Sequence, residues 1–288
     1  MRAWTFDELY GRTSAFLDAL TDRNQAYVAE VPSDARVWTS RPKVIRKSKR
    51  HHGRGRPKKT PRTAASPRAC QVRNLLKHSP KFRQQSWQRY RIKDTRRGPE
   101  VWEVKWLKAW RKTADKLPSR QQTLIVARNV RTGEIKYFVS NQVVGRDGVT
   151  LRWLLRVAFG RWSIEACFRI SKEELGLDHF EVRGWRCIHR HYHVTALSFL
   201  LCSRVRQQLD QSETEALTVE QVRRSLNAWL AHHSLPPPQR TTAFEKEVSD
   251  QHYYQTRNAT AEASHTSTRI QQYHDQGIDI HTIKSCLN

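Results

Sequence analysis

The hydrophobic positions of this chain change period several times, and each change marks a different kind of element. Trp4-Thr-Phe6 is a short β-type run. Asp7-Glu-Leu-Tyr-Gly11 follows at once, so a carboxylate stands where that strand would end. From Ser14 to Leu20 the spacing puts Phe16, Leu17 and Leu20 on one helical face, and Ala26 to Val31 predicts a second strand, stopped by Pro32. The result is a strand–helix–strand fragment with an acid at the C-terminal end of a strand, the end at which sites assemble in open α/β sheets. Periodicity lapses between Arg41 and Arg62. A short basic helix is predicted over Leu75 to Tyr90, then strands at Val101–Leu107, Thr123–Ala127 and Ile135–Val139. The last two are joined by Asn129-Val-Arg-Thr-Gly133, a hairpin-type connection. These strands predict a small antiparallel β subdomain inserted in a larger fold.

Helical spacing returns at Arg161-Trp-Ser-Ile-Glu165 and runs to Gly176. Ile164, Cys167, Phe168 and Leu175 give it an apolar side, and Gly176 supplies the stop. Arg161, Glu165, Phe168 and Lys172 fall along one stripe of such a helix. The plainest meaning of that stripe is a half-buried helix with an Arg161–Glu165 pair, worth a few tenths of a kcal/mol. His189 to Leu209 is strongly apolar, through Val194, Leu197, Leu200, Leu201 and Val205, and is expected to pack against the sheet. A further helix is predicted over Thr218 to Ala231, with Thr218 as N-cap and Gln221 at the capping-box position. Beyond about Thr241 the chain is polar without a period and reads as a loosely ordered tail.

Charge changes the picture most. The formal net charge is +25 and the isoelectric point about 10.5, an excess suited to a polyanionic partner. Much of it lies between Arg41 and Arg62, which predicts a mobile basic loop. Its centre, Gly53-Arg-Gly-Arg-Pro-Lys-Lys59, resembles an AT-hook, whose arginines enter a narrow minor groove. The plainer reading is a phosphate-binding loop carrying Arg54, Arg56, Lys58 and Lys59. Five cysteines without a C-x-x-C pair indicate neither a disulfide framework nor a structural zinc site. In His189-x-His191-x-His193 only the outer two would share a helical face, so this run reads as polar surface. No apolar run reaches membrane-spanning length and no signal-peptide pattern follows Met1, so the expected location is intracellular.

Taken together, these residues resemble a known family. Arg161-x-x-x-Glu165-x-x-x-x-x-x-Lys172 is similar to the signature around the last catalytic acid in DDE transposases of bacterial insertion sequences, in the branch with a Tyr-Arg-Glu-Lys signature. Glu173-Glu-Leu-Gly-Leu-Asp178 and Glu181-Val-Arg-Gly-Trp185 resemble the family's residues just C-terminal to that signature, and Phe6-Asp7-x-x-Tyr10-Gly11 looks like its second-acid motif. The signature Tyr would fall at Ala158, a departure. The resemblance implies an α/β protein: a partial RNase H-like catalytic fold interrupted by a β-rich insertion and followed by helices. Residues 1–32 would be the partial core with the second acid and 33–150 the basic loop and insertion. Residues 151–210 would carry the third acid, and 211–288 a helix and polar tail.

The implied activity is DNA transposition, by metal-dependent cleavage and strand transfer at insertion-sequence ends. Asp7 and Glu165 would be catalytic carboxylates holding Mg²⁺ or Mn²⁺, hard cations that prefer oxygen ligands. Arg161 and Lys172 would hold the DNA backbone, as would Arg54, Arg56, Lys58 and Lys59. The implied partners are double-stranded DNA, as transposon ends and target, and a second copy in a homodimer, with no membrane. The implied setting is the bacterial cytoplasm, at the nucleoid. The family's first catalytic Asp lies well upstream of the second, and six residues precede Asp7. The chain is therefore expected to be the C-terminal portion of a transposase, inactive or nearly so alone. The competing expectation is a non-catalytic basic DNA-binding protein or regulator derived from one. A structural RNA-binding protein is a third, but no RNA-binding module is recognisable.

Overall fold

The computed structural model describes residues 2–45, 60–209, 217–234 and 237–286. They pack as two compact units, residues 1–161 with 265–288, and residues 162–264. The fold is mixed α/β.

The first unit is built on one mixed sheet. Strand β1 (Trp4–Phe6) leads through helix α1 (Glu8–Gly11) and helix α2 (Ser14–Asp22) to β2 (Tyr27–Val31), and β1 and β2 pair in parallel. Leu17 of α2 is fully buried over Tyr27 and Ala29, with Phe16 and Leu20 packed beside it, as the helical face predicts. Then come β3 (Arg36–Trp38), β4 (Val44–Ile45), β5 (Arg62–Thr63), β6 (Cys70–Gln71), α3 (Val72–His78) and α4 (Pro80–Arg83). Long strands come next: β7 (Gln88–Thr95), β8 (Gly98–Arg111), β9 (Gln122–Asn129) and β10 (Ile135–Ser140), before α5 (Leu151–Gly160).

The sheet order is β1-β2-β10-β9-β8-β3-β6, with β7 on the other part of β8. The strands expected to form a separate β subdomain therefore continue the same sheet as Asp7's fragment, because β10 pairs antiparallel with β2 (Val139↔Ala29). Two apolar faces make this worthwhile. Ile125 and Ala127 of β9 point to the side where Leu154 and Leu155 of α5 are buried, and Leu124 and Val126 to the side of Val72, Leu75 and Phe82. A strand buried on both faces is apolar at every position, which explains the unbroken Thr123–Ala127 run. The β9–β10 hairpin is also as expected: Asn129 Oδ1 accepts from the amides of Arg131 and Thr132, both at 3.0 Å, and Gly133 takes a φ of 71°.

Two further expectations are corrected. Leu75 to Tyr90 is not one basic helix but α3, α4 and the start of β7, with Phe82 buried at the break. The stretch from about Thr241 is not a loose tail. It is the long helix α9 (Pro237–Asp275), followed by a 3-10 turn (Ile280–Thr282) and by β11 (Lys284–Ser285), which pairs in parallel with β7. Its apolar signal is short because Tyr273 alone is buried among its described side chains; with Ile278 and Ile280, just beyond the helix, it closes over Val101 of β8. The Tyr273 hydroxyl accepts from the Val101 amide at 3.2 Å.

The second unit is helical. Helix α6 (Trp162–Leu175), α7 (Trp185–Leu209), α8 (Val219–Ser234) and most of α9 compose it, around a small core of Cys202, Val219 and Val222. The capping box forms as predicted: Thr218 N donates to Gln221 Oε1 at 2.8 Å, and Gln221 N to Thr218 Oγ1 at 3.1 Å. On α7 the buried positions are Thr195 and Cys202, whereas Val194, Leu197, Leu200 and Leu201 are exposed. The apolar run thus does not mark the packed side of that helix. No helix among the described residues is long and apolar enough to cross a membrane.

Candidate active site

Asp7 lies where its sequence context predicts. It directly follows β1, with φ −79° and ψ −178°, and caps α1 through a long bond from Tyr10 N to Oδ1 of 3.3 Å. Its carboxylate is half-buried. The two residues that close this turn have separate tasks. Tyr10 packs its ring near Phe6 and Phe16, at centroid distances of 6.1 and 5.8 Å, which fastens α1 to α2. Gly11 lets the turn sit on β2: a Cβ built there would lie 1.8 Å from the carbonyl oxygen of Glu30. No side chain fits that approach. The Tyr-Gly pair after the acid is therefore a device that holds Asp7 at the end of its strand.

Other acids of this unit are engaged structurally. Asp18 of α2 pairs with Arg111 of β8 and accepts from Ala114 N at 3.0 Å. Glu30 of β2 pairs with Lys136 of β10 at 3.1 Å. Glu103 of β8 pairs with Arg128 of β9, 2.5 Å away, and with Arg89 of β7.

In the second unit Glu165 lies in the first turn of α6 and is exposed, and Lys172 is exposed near its end. Gly176 ends the helix in the left-handed region, at φ 67°, as its sequence position predicts. The helix differs from expectation in two ways. Arg161 is not part of it but caps the preceding helix, α5. Ile164 and Phe168 are exposed, and the side packed inward carries Ile170 and Ser171. Glu173 pairs with Arg169 at 2.9 Å, and Glu174 with Arg223 of α8 at 3.3 Å. His191 bonds the Gly176 carbonyl at 2.8 Å and His193 the His189 carbonyl at 2.7 Å, so these histidines serve local backbone contacts.

Asp7 and Glu165 belong to different units. Arg54, Arg56, Lys58 and Lys59 lie outside the described residues. Carboxylates are the right donors for a hard divalent cation. Yet among the described residues no three His, Cys, Asp or Glu side chains gather at metal-binding distance, so these residues alone do not fit a complete site. What sequence reasoning missed is a set of basic side chains in the folds of the first unit, Arg36, Arg62, Arg68, Lys112 and Lys116, which line one concavity. They are scattered over eighty residues, and no local pattern joins them.

No curated protein matches the chain. Residues 2–99 match the family model described as DDE superfamily endonuclease, a segment that includes Asp7 and the basic stretch and ends before Glu165. Members of that nuclease superfamily typically use divalent metals, and the family implies a DNA substrate. Over this third of the chain, the match supports the resemblance to the DDE transposase family.

Proposed function

We propose that this chain serves DNA transposition, through metal-dependent cleavage and strand transfer at insertion-sequence ends. The observation that carries this reading is Asp7, capping the turn at the end of β1 inside the segment that matches the endonuclease family. In this reading the strand–helix–strand fragment is part of an RNase H-like core. Asp7 and Glu165 are two of its carboxylates, and Mg²⁺ or Mn²⁺ held by them would polarise the phosphodiester. Arg161 and Lys172 hold the DNA backbone near Glu165, and Arg54, Arg56, Lys58 and Lys59 hold it elsewhere. A homodimer would pair two ends.

Because no three His, Cys, Asp or Glu side chains gather at metal-binding distance among the described residues, the chain alone is inactive or nearly so in this proposal. The same observation favours a second reading, a basic DNA-binding regulator that does no chemistry. The two separate in one experiment. DNA affinity is measured with and without Mg²⁺ for the unaltered chain, Asp7→Asn and Glu165→Gln, beside a plasmid-nicking assay. A transposase fragment shows a Mg²⁺-dependent change in affinity that either substitution removes. A pure binder shows none, and neutralising either acid does not weaken it. Robust nicking by the chain alone, lost in Glu165→Gln, would overturn the inactive-alone part.

A further inference from the structure

Several cations of the first unit have a carboxylate partner, among them Arg89, Arg91, Lys93, Arg111, Arg128 and Lys136. One group is different. Arg36 of β3, Arg62 of β5, Arg68, Lys112 and Lys116 line a single concavity of about 580 Å³, together with one acid, Asp115. Among the described residues none of the five makes an ion pair. Five like charges sharing a concave surface repel one another, and a low-dielectric wall focuses their field on whatever enters.

Two neighbouring hollows share lining residues with this concavity. One, of about 670 Å³, shares Pro61 with it and brings in Arg41 and Lys43. Another, of about 420 Å³, shares Arg36 and Lys112 with it and reaches Gly11, Arg12 and one acid, Asp34. Gly11 N donates to the Asp7 carbonyl at 2.9 Å, so this part of the trough stands one helical turn from the candidate acid.

The walls are firmly built. Trp38 is buried beneath the central hollow and donates its indole N–H to the Pro67 carbonyl at 3.0 Å. The turn carrying Lys116 is closed by Thr113 N donating to the Leu117 carbonyl at 2.8 Å. Lys116 itself has a φ of 61°, in the left-handed region that favours glycine. A lysine held there against its backbone preference suggests a use for its charge at that position.

We propose that this trough seats the sugar–phosphate backbone of a DNA strand and leads it toward the turn that carries Asp7. The inference rests on the transposition reading and adds to it a binding surface made of residues distant in sequence and separate from the 46–59 segment. Each phosphate neutralised by a basic side chain releases counterions, so each contact adds roughly 0.9 to the slope of log affinity against log salt.

The test uses the full chain and a labelled duplex, with affinity measured by anisotropy from about 50 to 200 mM salt. In Arg36→Ala/Arg68→Ala/Lys116→Gly the slope is expected to fall by about 2 to 3, equally on unrelated DNA sequences. Arg91→Ala, which removes an ion-paired cation outside the trough, should leave the slope unchanged. Lys116→Gly alone separates binding from folding: it relieves the left-handed backbone, so thermal stability should hold or rise while the slope falls by about 1. DNA binding with an unchanged slope in the triple variant would overturn the trough and leave the transposition reading standing. No binding of duplex by the unaltered chain at the lowest salt would overturn both. A trough-dependent slope on double-stranded RNA and not on DNA would overturn the proposal as well.

Discussion

Gly11→Ala gives the sharpest prediction, because two effects oppose each other and the structure decides the sign. Gly11 ends α1 in ordinary helical surroundings, and alanine is the better helix former by about 1 kcal/mol. If α1 stood clear of the sheet, the substitution would stabilise the protein. But the new Cβ would sit 1.8 Å from the Glu30 carbonyl oxygen and 2.9 Å from its carbon, below the 3.0 Å that real Cβ contacts respect. The turn and β2 must part by about 1.2 Å to clear the oxygen. The obstacle is main chain inside a paired strand, so no side-chain rotation relieves it. Overpacking of this kind costs about 1–3 kcal/mol, and a backbone obstacle belongs at the upper end. For a unit of this size about 3 kcal/mol lowers Tm by roughly 6–12 °C. Thermal melting checks the stability, and the Mg²⁺-dependent change in DNA affinity checks whether Asp7 has been displaced with the turn. A variant that melts at or above the wild-type temperature would refute the seating of α1 on Glu30.

Two further predictions concern the C-terminal end of the first unit. Tyr273→Phe leaves the buried Val101 amide without its 3.2 Å acceptor, so a loss of about 1–3 kcal/mol is expected, read as a lower Tm and faster hydrogen exchange at Val101. Cys286 is buried, and its thiol is pushed up to about 11 by that burial, against the pull of Arg152 and Arg156. A thiol that keeps its proton longer when folded contributes stability that is full below its unfolded pKa and is lost as pH rises toward the folded one. Stability should therefore decline between about pH 9 and 11, and less in Cys286→Ala. Alkylation at pH 8 should label the exposed Cys70 and Cys187 well before Cys286, and urea should remove the difference.

Several parts of this protein were determined by the sequence alone, and all of them are local. The strand–acid–turn at Asp7, the apolar face of α2, the Asn129–Gly133 hairpin, the Thr218–Gln221 capping box and the Gly176 stop each depend on residues close to one another in sequence. Their hydrogen bonds and side-chain periods are therefore written in one short window. The same locality carried the motif around Asp7, which lies inside the segment that matches the endonuclease family model.

Only the tertiary structure decided the rest. Nothing near Ala29 announces that its neighbour is Val139, over a hundred residues later, nor that Lys284 will pair with Tyr90. Such pairings are chosen by how much apolar surface the whole sheet can cover, a sum that no window contains. The end of α9 escaped notice for the same reason, since Tyr273 and Ile280 have a core only once β8 is beneath them. The apolar run on α7 misled in the opposite direction, with its leucines exposed and Thr195 packed. Gly11 shows both halves at one residue. Its place after Asp7 marked the turn, but the reason it must be glycine is the carbonyl of Glu30, which folding alone brings to it.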